Sequence, residues 1–210
     1  MYFKNYLKKN KISLSPSLVA LCEEGLRRMN ESVDVTHTPE HIERILTLYA
    51  QYKPKVKTKE FREDVFLTAV LWHDAWKAQF GSNGYLRAAY AQVMEGILSA
   101  RLFRHEARKY TDDSDFINSV SYAIRKHSQI QFLPLQTPES KLLWDLDKLD
   151  KWEPKRFSEI KDEFFATKSK LGRKLFKIYM NMDSDKGIHN VWLRSEFNKR
   201  KNAYFEAVGM

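Results

Sequence analysis

Three times along the chain a hydroxyl residue stands directly before proline, and an amphipathic run follows: Ser15-Pro16, Thr38-Pro39 and Thr137-Pro138. The first amides of a helix have no internal partner, so proline there gives up no hydrogen bond, and the hydroxyl before it can cap those amides. Each pair therefore marks a helix start. Between them, the runs at about 59–78, 85–107 and 114–128 carry apolar residues at helical spacing, as in Ile117, Val120 and Ile124. Two weaker helical runs follow, at roughly 155–181 and 189–206. Only 7 Gly and 6 Pro punctuate 210 residues, and no stretch alternates with a strand's period of two. These features predict an all-α chain with six helices in residues 15–152. They divide it into an N-terminal helical segment (1–33), a core (34–152) and a basic C-terminal helical extension (153–210).

At 43% hydrophobic and 13% aromatic residues the chain can fill a sizeable core, and 30% charged residues fit a globular protein. The longest apolar runs, such as Val65–Trp72, are far too short to cross a bilayer, which excludes a membrane span. The first residues lack the apolar run and cleavage site of a secretory signal. A single cysteine, Cys22, cannot form an internal disulfide and reads as a small core residue, so the expected compartment is the reducing cytoplasm. The net charge of +9 is uneven: residues 155–210 hold 13 Lys and Arg against 7 Asp and Glu. That stretch is either a solvated helix face or a surface for anionic partners.

Ionisable residues on apolar helix faces point to a site. Residues spaced by three, four or seven share one face of a helix. His73 follows Phe66, Ala69 and Val70 at those spacings, His41 precedes Ile45 and Leu48, and His127 continues the Ile117–Val120–Ile124 stripe. Asp147 follows Leu143 by four, and Asp150 follows Asp147 by three. Buried imidazoles and carboxylates are costly unless paired or bound to a cation. Three aspartates late in the 138–152 helix also oppose its dipole. A divalent cation relieves these conflicts together, and the donor types suit Mn, Fe, Co, Ni, Zn or Mg.

In order along the chain, these residues resemble the HD-domain superfamily of metal-dependent phosphohydrolases. "HTPEHIERIL" resembles the family's first-ligand helix through His41, Arg44 and Ile45. "LWHDAWK" supplies the His73-Asp74 doublet with Lys77 three residues on. "AIRKHS" resembles an Ile-x-x-His segment ending at His127, and "LLWDLDKLDKW" resembles the closing motif through Asp147, Lys148 and Leu149. The resemblance covers about residues 34–152 and implies an HD-domain-like helical bundle. It implies a metal held by His41, His73, Asp74 and Asp147, with Asp74 bridging two metals in dinuclear members. It also implies hydrolysis of a phosphoester of a small phosphorylated substrate, a nucleotide foremost. His73, Asp74 and His127 are the implied catalytic residues, with His127 a second-metal ligand, a substrate contact or a proton donor. Lys77, Arg125 and Lys148 are candidates to offset substrate phosphate charge, and Asp150 to support a ligand.

The chain also departs from the family's pattern. After the doublet only His105 is available where many dinuclear members carry two histidines, and its neighbours read as surface; this favours one metal, or a second held weakly. The Glu-Asp pair of the alarmone hydrolases and the signature of the Gly-Tyr-Pro subclass are missing, which disfavours those substrates. His37, one helical turn before His41 and outside the helix cap, either lines the pocket or is a loop residue, the plainer reading. A rival reading is a non-catalytic helical module that binds nucleic acid or a protein partner through its basic C-terminal region, where aromatics interleave with cations in "FNKRKNAYF". The same region could instead steer anionic substrates or form a homodimer. The rival predicts nucleic-acid affinity that falls steeply with salt and is removed by charge reversal at Lys199, Arg200 and Lys201. Titration of labelled single-stranded DNA into both proteins checks this, and equal affinities would count against it.

Overall fold

The computed structural model describes residues 3–34, 37–56, 58–80, 85–127, 134–153 and 184–207. Among them there are helices and no strand, so the chain is all-α. The order is α1 (Phe3–Lys9), α2 (Pro16–Asn30), α3 (Pro39–Tyr52), α4 (Glu63–Trp72), α5 (Ala75–Phe80), α6 (Tyr85–Ala107), α7 (Ser114–Lys126), α8 (Pro138–Lys151) and α9 (Arg194–Ala207), with short 3-10 turns at Lys53–Lys55, Asp185–Gly187 and Val191–Leu193. No helix among the described residues is long and apolar enough to cross a membrane.

The three proline starts fall where the sequence puts them. Ser15 Oγ accepts from the Leu18 amide at 3.3 Å, and Thr137 Oγ1 from the Ser140 amide at 3.2 Å. Thr38 occupies the cap position of α3 in extended backbone, but its side chain makes no capping bond. α7 starts on a cap the sequence reading did not use, Asp113, whose Oδ1 accepts from the Phe116 amide at 2.9 Å. The predicted helix at 155–181 lies outside the described residues, and the one at 189–206 is α9 with a 3-10 turn before it.

One expected helix is two. The run at 59–78 starts only at Glu63 and breaks at His73-Asp74, between α4 and α5. His73 Nδ1 lies 2.8 Å from the Val70 carbonyl, the acceptor that the Asp74 amide would use in an unbroken helix. A side chain that takes up a backbone carbonyl is invisible to hydrophobic periodicity.

The chain forms two compact units, Met1–Trp144 and Asp145–Met210, with the division inside α8. In the first unit, Val65 through Trp72 of α4 are all buried, the pattern of a helix enclosed on every side. It packs against α2, α3, α6 and α7. Trp72 Nε1 donates to the Leu21 carbonyl at 3.0 Å, and Cys22 is fully buried beside Thr68, with burial pushing its thiol up to about 12. In the second unit Trp152 is fully buried, with Phe197, Tyr204 and Phe205 ring centroids 5.5–6.1 Å away. Asp145 accepts from the His189 amide at 2.9 Å and from the Asn190 amide and side chain at 2.7 Å.

Helix α6 crosses α7 at Gly96, where an added Cβ would sit 2.7 Å from the Arg125 carbonyl oxygen. Gly96→Ala should therefore destabilise the protein by about 1–3 kcal/mol, although alanine is the better helix former. Urea unfolding measures the change; a gain in stability would mean the helices do not approach this closely.

Candidate metal centre

The first unit gathers imidazoles around one carboxylate. Asp74, 3% exposed, stands at the join of α4 and α5. His73, just before it, occupies the C-cap of α4, and His127 the C-cap of α7. His41 lies in the first turn of α3. The sequence reading put His73 and His127 within helices; the structure puts both just past the last turn. That location matters electrostatically, because the C-terminal end of a helix carries partial negative charge and favours a cation.

The ring nitrogens converge. Asp74 Oδ2 is 3.1 Å from His73 Nε2, 3.3 Å from His41 Nε2 and 3.7 Å from His37 Nε2. Asp74 Oδ1 is 3.2 Å from His127 Nε2, and His41 and His73 bring their Nε2 atoms within 3.1 Å of each other. Hydrogen-bond partners fix the tautomers. A carbonyl oxygen only accepts, so His73 Nδ1–H donates to Val70 and His127 Nδ1–H to Ile124, at 2.8 and 2.5 Å. In the neutral rings Nε2 is then a lone pair facing a carboxylate. Burial alone would raise the pKa of Asp74, but the facing His73 and His37 and the bonds from His127 and His41 hold it well below the usual carboxylate range. It is an anion faced by imidazole nitrogens, two of which, on His73 and His127, are acceptors whenever their rings are neutral.

Two remedies exist for such a cluster: extra protons or a shared cation. At most one proton can lie between His41 Nε2 and His73 Nε2. Charging all the rings would bury several positive charges against one negative. A divalent ion meets the donors without that excess. His41 Nε2, His73 Nε2 and Asp74 Oδ2 form a triangle with edges of 3.1, 3.3 and 3.1 Å. Ligands about 2.1 Å from a metal lie about 3.0 Å apart in octahedral and about 3.4 Å apart in tetrahedral geometry. The buried His and Asp donors therefore fit a metal ion, and His73, Asp74 and His127 also lie within ligand distance of one another.

The other expected residues divide. Lys77 is buried, and its Nζ is 2.5 Å from Glu95 Oε2 on α6. Burial disfavours its charge, but Glu95 and then Asp74 raise its pKa above the ordinary lysine value, so it is a fixed cation. Arg125 is exposed on α7. Asp147, Lys148 and Asp150 belong to the second unit, where Asp147 is half-buried and Lys148 and Asp150 are buried. His105 is on the surface, as expected, beside Glu106. In α9, Phe197 and Tyr204 are buried, so packing accounts for the interleaved aromatics there. Lys201 lies over Trp152 and Phe205, and Arg200 pairs with Glu196 at 2.8 Å.

Three residues of the first-unit cluster and its surroundings escaped the sequence reading as site residues: His37, Asp34 and Glu95. His37 is buried, its Nδ1 is 2.8 Å from Asp34 Oδ1, and burial and then Lys77 push its pKa below the ordinary histidine value. Asp34 and His37 precede the first residue of α3, so helical spacing does not mark them. Glu95 had no such mark either. No protein-family model matches the chain, and neither does any curated protein or solved structure.

The buried Lys77–Glu95 pair yields a stability prediction. Removing one partner strands a charge in the core, so Glu95→Ala should cost about 3–5 kcal/mol. The double change Lys77→Met with Glu95→Leu should cost much less. Denaturant melts of both proteins check this, and an unchanged midpoint for Glu95→Ala would show that the pair is not desolvated.

Proposed function

We propose that this chain is a metal-dependent phosphohydrolase of the HD-domain type, acting in the cytoplasm on a small phosphorylated substrate, a nucleotide foremost. The observation that carries the reading is the triangle of His41 Nε2, His73 Nε2 and Asp74 Oδ2, with the His73 tautomer fixed by the Val70 carbonyl. A bound divalent ion would supply an activated water and polarise a phosphoryl oxygen. The chain's own residues prepare for that. His41, His73 and Asp74 are the ligands. His127 Nε2, 3.2 Å from Asp74 Oδ1, is a further donor atom beside them. Lys77, fixed by Glu95, adds positive charge near Asp74 and suits an approaching phosphate. Asp147 as a further ligand, and Arg125 and Lys148 as phosphate contacts, are carried over from the sequence reading.

The test is a panel of nucleotides and phosphomonoesters screened with Mn, Fe, Co, Ni, Zn and Mg, with bound metal measured by elemental analysis. Wild-type protein should carry metal and hydrolyse at least one substrate class. Asp74→Ala and His73→Ala should lose both while keeping the helical circular-dichroism signal. Hydrolysis that survives in Asp74→Ala would sink the proposal.

A further inference from the structure

The sequence-level ligand set leaves out the imidazole that the first unit positions with most effort. We infer that His37, held by Asp34, is a further metal ligand, donating through Nε2 to the same cation as Asp74 Oδ2. The inference rests on the reading of the cluster as a metal centre.

Three histidines in the cluster share one arrangement. Each gives its Nδ1–H to an acceptor: Val70 O for His73, Ile124 O for His127 and Asp34 Oδ1 for His37. Each turns Nε2 to Asp74, at 3.1, 3.2 and 3.7 Å. Metal-ligating histidines characteristically bond their second ring nitrogen to a carboxylate or a backbone carbonyl, which fixes the tautomer and ring orientation. His37 has the carboxylate version.

Its supports are built in. Asp34 is 3% exposed, and its Oδ1 accepts both the ring and the backbone N–H of His37, the latter at 3.2 Å. The segment before it is tied to the end of α5, the helix that follows Asp74. The Val33 amide donates to the Ala78 carbonyl at 2.9 Å, and Ser32 Oγ lies 3.3 Å from the same oxygen. A buried carboxylate and two ties to α5 thus hold this histidine with its Nε2 toward Asp74.

The consequence is chemical. With His37 the first unit supplies three imidazoles and one carboxylate to one cation. Imidazole-rich sets suit Zn, Fe, Ni and related ions, whereas Mg prefers oxygen ligands and water. The site should therefore take a transition metal and discriminate against Mg.

Cobalt(II) loaded into the purified full chain is the probe. Its affinity is read by chelator competition. Ligating histidines are counted from hyperfine-shifted, exchangeable ring N–H signals in proton NMR, one for each ring bound through Nε2. His37→Gln should lose one such signal, and both His37→Gln and Asp34→Asn should weaken cobalt binding roughly 10–100-fold. The surface change His105→Gln should alter neither, and Mg should fail to displace cobalt. Circular dichroism of the metal-free proteins checks folding; if His37→Gln is unfolded, Asp34→Asn, which keeps the volume, carries the test. Wild-type signal count and affinity in a folded variant would overturn this inference alone. A wild-type protein that binds no cobalt would overturn it together with the proposed centre.

Discussion

Asp74 sets the terms for the first unit. A carboxylate at 3% exposure is expensive to bury, and it stands where a helix has been interrupted to admit it. The interruption is made by its neighbour. His73 places its ring N–H on the Val70 carbonyl, which ends α4 and leaves Nε2 directed at the carboxylate. One side chain thus breaks the helix, sets its own tautomer and aims a lone pair. Helix α4, enclosed by α2, α3, α6 and α7, then holds that geometry from behind through eight consecutive buried residues. The donors come from separate elements: His41 from α3, the doublet from the join of α4 and α5, and His127 from the end of α7. Any change in how those helices pack is felt at the carboxylate.

Much of this was legible in the sequence, and the exceptions have physical causes. Ser15-Pro16, Thr38-Pro39 and Thr137-Pro138 mark helix starts because their chemistry is local. His41, His73 and His127 were assigned to the buried side from spacing alone, and all three are buried in the cluster. The break at His73-Asp74 was not legible, because a ring that captures a carbonyl leaves no trace in periodicity. His37 was read as a loop residue because loops are usually exposed, and the carboxylate that buries it, Asp34, belongs to no helical stripe. In α8, Leu143 and Asp150 on the expected face are buried and Asp147 between them is half-buried, while Asp145, which that spacing does not mark, is buried as well. Asp145 is buried because the His189 and Asn190 amides come to it, a contact between residues more than forty positions apart that no local pattern encodes.

Three of the buried carboxylates, Glu95, Asp145 and Asp74, are met in three different ways, and the comparison bears on what the cluster is for. Glu95 meets a lysine, a cation of its own, and the pair is closed at 2.5 Å. Asp145 meets backbone and side-chain N–H groups, which can only donate, although burial still raises its pKa. In each of these the contacts named join a donor or a cation to an acceptor. Three of the four rings that Asp74 meets have an N–H committed elsewhere, at Val70, Ile124 and Asp34. A fold selecting only for a satisfied buried anion had two better solutions at hand and used both within the same chain. The arrangement at Asp74 becomes favourable when a positive charge enters among the nitrogens, and the helix ends behind His73 and His127 add negative potential that draws one in. That asymmetry, more than the identity of any single residue, separates this cluster from ordinary buried polar groups and makes a cation its natural occupant.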